Sequence, residues 1–258
     1  MADTRKIQQA AERLRRSRYT VAFTGAGISV ESGIPPFRGA DGIWQKYNPA
    51  LLEINHFRNH PLQSWKVIKA LFYDHLINAQ PNRAHRALSE MEQNGRLQAV
   101  ITQNIDYLHQ AAGSRSVIEY HGTYRFLICL ECGRRYEVDE IDLEFLPPFC
   151  PQCREVLKPD FVFFGEPIPE AASQAAEEAA RLADVLLVIG STGEVVPAAL
   201  IPPLAKQSGA YIIEINTSRS QFTATVTDLF LPGPATGVMD SLLLAGLPAQ
   251  SPSNGGEP

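Results

Sequence analysis

Two short runs, Val185–Ile189 (VLLVI) and 211–215 (YIIEI), constrain this chain more than any other feature. Both are almost continuously apolar, so a strand built from either has no face to give to water. Such strands belong in parallel sheets covered by helices on both sides. Four further runs fit the same scheme, at 19–24, 97–102, 116–120 and 228–231. Helical patterns lie among them, at 4–17 (Ile7, Ala10, Ala11 and Leu14 on one face), 81–94 and 169–183. Alternating strand and helix signals with glycine at the turns predict an α/β fold around a parallel sheet.

Two segments break the alternation. Residues 34–80 begin as loop and turn helical near 64–78, and residues 123–157 hold every cysteine and the tandem Pro147-Pro148. Both read as insertions that together make a smaller lobe. The expected division is 1–33, 81–122 and 158–247 for the sheet domain, 34–80 for a loop and helical insertion, and 123–157 for a metal ribbon. Residues 248–258, rich in Pro, Gly and Ser, are expected to form a disordered tail.

The cysteines follow one pattern, Cys129-x2-Cys132 and Cys150-x2-Cys153. Two residues between thiolates let one turn aim both sulfurs at a single ion, and two such turns complete a tetrahedral zinc site. Four thiolates leave no open coordination position, so the zinc is expected to be structural. Arg134 and Arg135 stand against Glu131 and Glu137, which reads as a nearly charge-balanced ribbon. The formal net charge of −5 argues against a nucleic-acid partner. No run is long enough to span a membrane and no signal-peptide core is present, so the expected compartment is the cytoplasm.

The strand ends carry the polar groups, as ligand sites in α/β sheets require. After the first strand, Gly25-Ala26-Gly27 opens like a dinucleotide turn, but Val30 stands where a third glycine belongs. A second turn follows at Ser32–Pro36, then Phe37-Arg38-Gly39. Thr102-Gln103-Asn104-Ile105-Asp106 ends another strand and reads either as a ligand site or as a helix cap. His121, at a strand end before Gly122, is the best placed of six histidines for a general base. His56, His60, His75, His85 and His109 sit in helical or loop settings. Gly190-Ser191-Thr192-Gly193 suits a phosphate, and Glu214 or Asn216 a ribose hydroxyl.

GAGISVESGIPPFRG, TQNID, HG, the cysteine quartet, PDFVFFGE and GSTGEVVP occur in the order seen in sirtuins, the NAD-dependent protein-lysine deacylases. The resemblance spans about residues 5 to 245 and is closest to bacterial and archaeal members. It implies a Rossmann-like domain with a smaller lobe of zinc ribbon and helical insertion. It implies NAD as co-substrate, held by Gly25, Ala26, Gly27 and Ile28, by Phe37 and Arg38 in a covering loop, and by Gln103, Asn104, Ile105 and Asp106. Gly190, Ser191, Thr192, Asn216 and Ala235 would take the adenosine half. His121 would be the base acting on a ribose hydroxyl, with Asn104 and Asp106 at the reacting centre.

The resemblance also implies a partner, an acetylated lysine in an extended peptide lying as a strand between two segments. These are Val162, Phe164, Gly165 and Glu166 on one side and Gly193, Glu194 and Val195 on the other, with Phe37 beside the acyl group. Two departures stand out: Pro36 where Thr or Asp is usual, and Gly190-Ser191-Thr192 where Gly-Thr-Ser is commoner. Members acting on acidic acyl groups carry a Tyr followed three residues later by Arg. Here Tyr73 is followed by Leu76, so a neutral acyl group is expected. Protein ADP-ribosyl transfer and a non-catalytic NAD-sensing module are the alternatives.

Overall fold

The computed structural model describes residues 3–36, 42–74 and 78–246. Phe37, Arg38, His75, Leu76 and the tail 248–258 lie outside them. Nine strands are described: β1 (Thr20–Thr24), β2 (Ala99–Thr102), β3 (Val117–Glu119), β4 (Gly122–Cys129), β5 (Arg135–Glu137), β6 (Leu157–Phe161), β7 (Val185–Ile189), β8 (Tyr211–Asn216) and β9 (Leu229–Pro232). The α-helices are α1 (Thr4–Arg16), α2 (Ile54–Asn59), α3 (Pro61–Ile68), α4 (Arg83–Gln93), α5 (Leu108–Ala111), α6 (Glu170–Leu182), α7 (Ile201–Gln207) and α8 (Ala235–Leu244).

All six strands expected from the sequence enter one parallel sheet, in the order β3-β2-β1-β7-β8-β9. Counted among themselves they run 3-2-1-4-5-6, the doubly wound order of dinucleotide-binding folds. Side chains alternate between two cores. Ala22, Leu187 and Ile189 pack with α1, α4 and α8, while Val21, Phe23, Leu186 and Val188 pack with α6 and α7. Helix α6 presents Ala176, Ala179 and Ala180 to the sheet, and side chains this small let it lie close. Helix α4 starts on a reciprocal cap, with Asn82 accepting from Ala84 N and His85 Nδ1 accepting from Asn82 N.

The order reverses at β1, which pairs with β2 on one side and β7 on the other. A crevice opens beyond the carboxyl ends of strands at such a reversal. Four of the expected site segments leave the sheet there, after β1, β2, β3 and β7.

The smaller lobe has its own core. Helices α2 and α3 and the π-turn Lys69–Tyr73 supply Phe57, Trp65 and Phe72, and the three-stranded sheet β5-β4-β6 supplies Leu127, Leu157 and Phe161. Three of its features depart from the sequence reading. Strand β6 runs in this small sheet, although the sequence pattern assigns residues 158–161 to the sheet domain. Short 3-10 turns at Ile43–Gln45 and Pro49–Leu52 and the α-helix from Ile54 come earlier than the helical pattern near 64–78. The Cys129–Cys153 span is acidic and not charge-balanced, because Asp139, Glu140, Asp142 and Glu144 add to Glu131 and Glu137 against Arg134 and Arg135. No helix of the described residues is long and apolar enough to cross a membrane.

Candidate functional site

Two glycine turns interlock at the head of the crevice. Gly25 N donates to Ile189 O (3.0 Å) and Gly27 N to Gly190 O (2.9 Å). Gly190 sits at φ +64°, and a Cβ on it would lie 2.4 Å from Ile28 N and 2.5 Å from the Gly27 carbonyl carbon. The two backbones touch where side chains would hold them apart. Gly190→Ala is therefore expected to combine left-handed strain of about 1–2 kcal/mol with overpacking of about 1–3 kcal/mol. Gly209 (φ +102°) has nothing within 4 Å of its would-be Cβ. Thermal melts should show Gly190→Ala well below Gly209→Ala, and equal melting would refute the interlock.

Below the turns lies a cavity of about 280 Å³ whose walls include Ala26, Ser29, Ile34, Phe72, Asn104 and Asp106. Its polar floor is a directed chain of hydrogen bonds. Because His85 Nδ1 accepts from Asn82 N (3.3 Å), its proton is on Nε2, which faces Ser29 Oγ at 3.4 Å. Asn104 Nδ2 donates to Ser29 Oγ (3.1 Å) and Gly25 O (3.2 Å). With its lone pairs taken, the Ser29 hydroxyl donates to Asp106 Oδ2 at 2.6 Å, and Leu108 N donates to Asp106 Oδ1 at 3.0 Å. Burial raises the pKa of Asp106, and the bonds from Ser29, Leu108 and Asn104 oppose that rise.

Behind this floor His109 shares a 2.9 Å bond with Thr24 Oγ1 and meets His85 edge-on, ring centroids 4.9 Å apart. Burial pushes His85 down to about 4 and His109 well below the ordinary histidine value. Both rings are therefore neutral at pH 7, and the wall behind Asp106 carries no countercharge from them.

His121 follows β3 and reaches the loop after β2. Its Nδ1 lies 2.9 Å from Gln103 O. A carbonyl can only accept, so Nδ1 bears the proton and Nε2 keeps a free lone pair. Burial lowers the His121 pKa, partly offset by that bond. Gln103 Nε2 donates to Ser191 Oγ (3.0 Å), and Asn216 Nδ2 donates to Ser191 O (3.0 Å). The ends of β1, β2, β7 and β8 are thus joined by hydrogen bonds around one crevice.

Individual residues fall unevenly. Ile28 turns its side chain into the core and offers only backbone, its carbonyl accepting from Asn82 Nδ2 (2.7 Å). Ile105 lines the cavity, Thr192 is exposed, and Ala235 is buried at the start of α8. Glu214 does not face the crevice. It is fully buried, and its carboxylate accepts from Ser220, Thr223 and Thr227 hydroxyls, so Asn216 alone is left at that strand end. Ser29, His85 and His109 join the site although the sequence reading does not mark them for it. Ser29 stands two residues past the glycine turn, a visible signal, whereas the histidines sit in helical patterns that do not show them facing inward.

The loop after β6 is tied on three sides. Val162 N donates to His121 O (2.8 Å), Phe164 N to Leu52 O (3.0 Å), and Ile54 N to Phe164 O (3.0 Å). Phe163 is buried against Phe57, while Phe164 and Gly165 are exposed. The Glu166 carboxylate turns inward, accepting from Phe163 N (2.7 Å) and pairing with the buried Lys158 Nζ at 3.0 Å. On the other segment Gly193 and Val195 are half-buried and Glu194 is exposed.

The four cysteine sulfurs lie within 4.8 Å of one another. Cys129 and Cys153 are 3.4 Å apart and Cys132 and Cys150 3.7 Å, far beyond disulfide length and near the edge of a tetrahedral zinc–thiolate site, about 3.8 Å. These cysteines are positioned to bind one metal ion, and an all-thiolate set suits zinc. The Tyr136 hydroxyl lies 3.2 Å from Cys150 Sγ, where it can donate to a thiolate.

The Sir2 family profile matches residues 25–197. The chain is 45% identical over 234 residues to NAD-dependent protein deacylase 2 of Pyrobaculum aerophilum, covering 90% of this chain and 93% of that one. To an NAD-dependent protein deacetylase of Sulfurisphaera tokodaii it is 47% identical over 219 residues, 83% of this chain and 86% of the other. A Sir2 homologue mutant in complex with ADP ribose superposes with a TM-score of 0.88 at 40% identity, covering 92% and 95% of the two chains. A Sir2–p53 peptide–NAD+ complex superposes with a TM-score of 0.86 at 34% identity, covering 92% and 97%.

Proposed function

This chain belongs to the Sir2 family, and from that premise we propose that it removes acetyl or other neutral acyl groups from protein lysines. NAD is consumed as co-substrate, and the products are nicotinamide, O-acyl-ADP-ribose and free lysine. The observation that carries this reading is the pairing of a free His121 Nε2 with the Asn104–Ser29–Asp106 chain across one crevice.

Each residue has a part that its geometry fits. The interlocked turns at Gly25–Gly27 and Gly190–Ser191 would let the pyrophosphate approach the backbone, with Ala26 N and Ser191 N as its donors, since the Gly25, Gly27 and Gly190 N–H groups already serve the backbone. Asp106 and the Ile105 backbone would hold the nicotinamide amide in the cavity, where the neutral His85 and His109 leave the Asp106 carboxylate without a competing cation. Asn104, braced by Gly25 O and Ser29 Oγ, would sit against the ribose. Breaking the nicotinamide–ribose bond builds positive charge on the sugar carbon, and a weak acyl oxygen can attack only if it is already aligned. His121 Nε2 would take the proton of a ribose hydroxyl, and the Nδ1–H···O=C bond holds that nitrogen in its basic tautomer. Zinc would stay outside the chemistry and hold the ribbon.

The acylated lysine would enter between the Val162–Glu166 loop and Gly193–Val195, its peptide adding as a strand. Phe37 and Arg38 would cover the co-substrate. Tyr73 stacks on Trp65 and donates to Tyr124 O (3.1 Å) inside the small-lobe core, so its hydroxyl is engaged away from an acyl carboxylate. That favours neutral acyl groups. A cytoplasmic place fits a chain that needs NAD and reduced thiolates.

The test is an acetyl-lysine peptide incubated with and without NAD and read by mass spectrometry, with its succinyl counterpart alongside. Acetyl loss that requires NAD is the expected result. Nicotinamide release with an unchanged peptide would point instead to ADP-ribosyl transfer, and faster removal of succinyl would overturn the neutral preference.

A further inference from the structure

The ribbon carries a second concavity, built from residues that the chemistry above does not use. It encloses about 440 Å³ and is lined by Ile141, Phe145, Phe149 and Pro151 together with Glu140, Asp142 and Arg154. Phe145 is 76% exposed and Phe149 52% exposed. A phenylalanine left in water forgoes ~1.5–3 kcal/mol of burial free energy, and two in one groove mark an interaction surface rather than scattered exposure.

The charge around them is predominantly negative. Asp139, Glu140, Asp142 and Glu144 are all exposed, and none forms an ion pair among the described residues. Among the described residues Glu140 Oε2 accepts only from Glu137 N (3.2 Å), and Asp142 Oδ1 only from Glu144 N (2.8 Å). Arg154 is the sole cation in the groove wall among the described residues. Four unpaired carboxylates beside an apolar trough repel phosphate polymers and anionic lipid, and they attract cations over about a Debye length, ~8–10 Å.

We propose that this groove docks a basic segment of the protein substrate, placing an apolar side chain between Phe145 and Phe149 and Lys or Arg side chains on the carboxylates of Glu140 and Asp142. The role as a substrate dock rests on the deacylase reading, since a lysine-rich protein is then the natural partner; the groove's preference for a basic segment does not. A second copy of this chain is the poorer occupant, because the chain is itself acidic, with net charge −5. Docking away from the acyl-lysine site raises the effective concentration of every acyl-lysine on the same protein and speeds encounter at low salt. A short neutral peptide gains neither benefit.

The test compares the full chain with the double variant Glu140→Lys/Asp142→Lys and with Phe145→Ser, all surface changes. Two substrates are used: partially acetylated cytochrome c, a lysine-rich protein, and a short neutral acetyl-lysine peptide. On the protein substrate at low salt, kcat/KM should fall roughly three- to tenfold in each variant. High salt should remove the double variant's deficit, and the peptide should be turned over unchanged. Equal losses on both substrates, or no loss on the protein, would overturn the proposal. So would a wild-type dimer in sedimentation that the variants dissolve. Fluorescence anisotropy with a labelled Arg-Arg-Phe-Pro-Leu-Arg-Arg peptide tests the groove without turnover. If that peptide binds wild type and not the variants while neither substrate is deacylated, the deacylase reading fails and the groove stands. If it binds all three alike, the groove assignment fails alone.

Discussion

His121→Ala should lower the turnover of an acetyl-lysine peptide by about 10²- to 10⁴-fold, while NAD affinity stays within about twofold of wild type. The split follows from the position of the ring. Nδ1 is held by Gln103 O, and the free Nε2 is the only part of the side chain with chemistry to offer. Losing it removes a proton acceptor and leaves the glycine turns and the Asp106 floor in place. The pH dependence has a definite sign. Burial lowers the His121 pKa, so the neutral, working form survives into more acidic solution than an exposed histidine would allow. The acid limb of kcat should therefore fall below about pH 6.5, with activity lost as pH drops through it. Single-turnover rates with saturating peptide and NAD, followed across pH, would read both effects. An alanine variant that keeps its rate, or an acid limb well above 6.5, would remove His121 from the role of base.

Cys150→Ser should cost more in structure than any single change in the crevice. Cys129 and Cys150 are fully buried within the small-lobe core beside Tyr124, Leu127 and Leu157. Removing one thiolate strips the metal and also leaves a polar hydroxyl in an apolar setting. Structural zinc contributes about 10–16 kcal/mol to the folding of isolated zinc-finger peptides. A loss of even a third of that would unfold the ribbon, given whole-domain stabilities of about 5–15 kcal/mol. Metal analysis should find zinc in the wild type and none in the variant. Hydrogen exchange should show lost protection through β4–β6, with β7 and β8 still protected. Retained protection in β4–β6 would mean that the ion is not what holds them.

The large sheet was readable because its strands are covered on both faces, so composition alone marks them. Val185–Ile189 has no polar residue to obscure it, and the structure begins and ends β7 where the sequence reading does. Strands β4–β6 were not readable on those terms. In LKPDF, a lysine and a proline sit in a strand whose only apolar signals are its two ends. The lysine is tolerated because Glu166, five residues past the strand, folds back to pair with it, and no periodicity announces such a partner. Part of the ribbon's coherence comes from thiolates, which do the work that apolar side chains do elsewhere. The site divided in the same way. Gly25, Asn104, Asp106 and His121 lie at strand ends and could be found by place. His85 and His109 became legible only when α4 and α5 were seen to turn them toward Ser29 and Thr24.

The pairing of Gly122 with Phe161 has a consequence of another kind. The chain leaves toward the ribbon at Gly122 and returns at Phe161 on the same rung of one sheet, so everything between them is a closed detour. A detour whose ends already meet adds little loop-closure entropy when it is lengthened, shortened or replaced. The outer part of the ribbon can therefore change while Tyr124, Leu127 and Leu157 keep their packing against α3 and the turn after it. That outer surface is free to diverge, and to gain or lose docking surfaces, while the strand that delivers His121 and the loop that begins at Val162 keep their places.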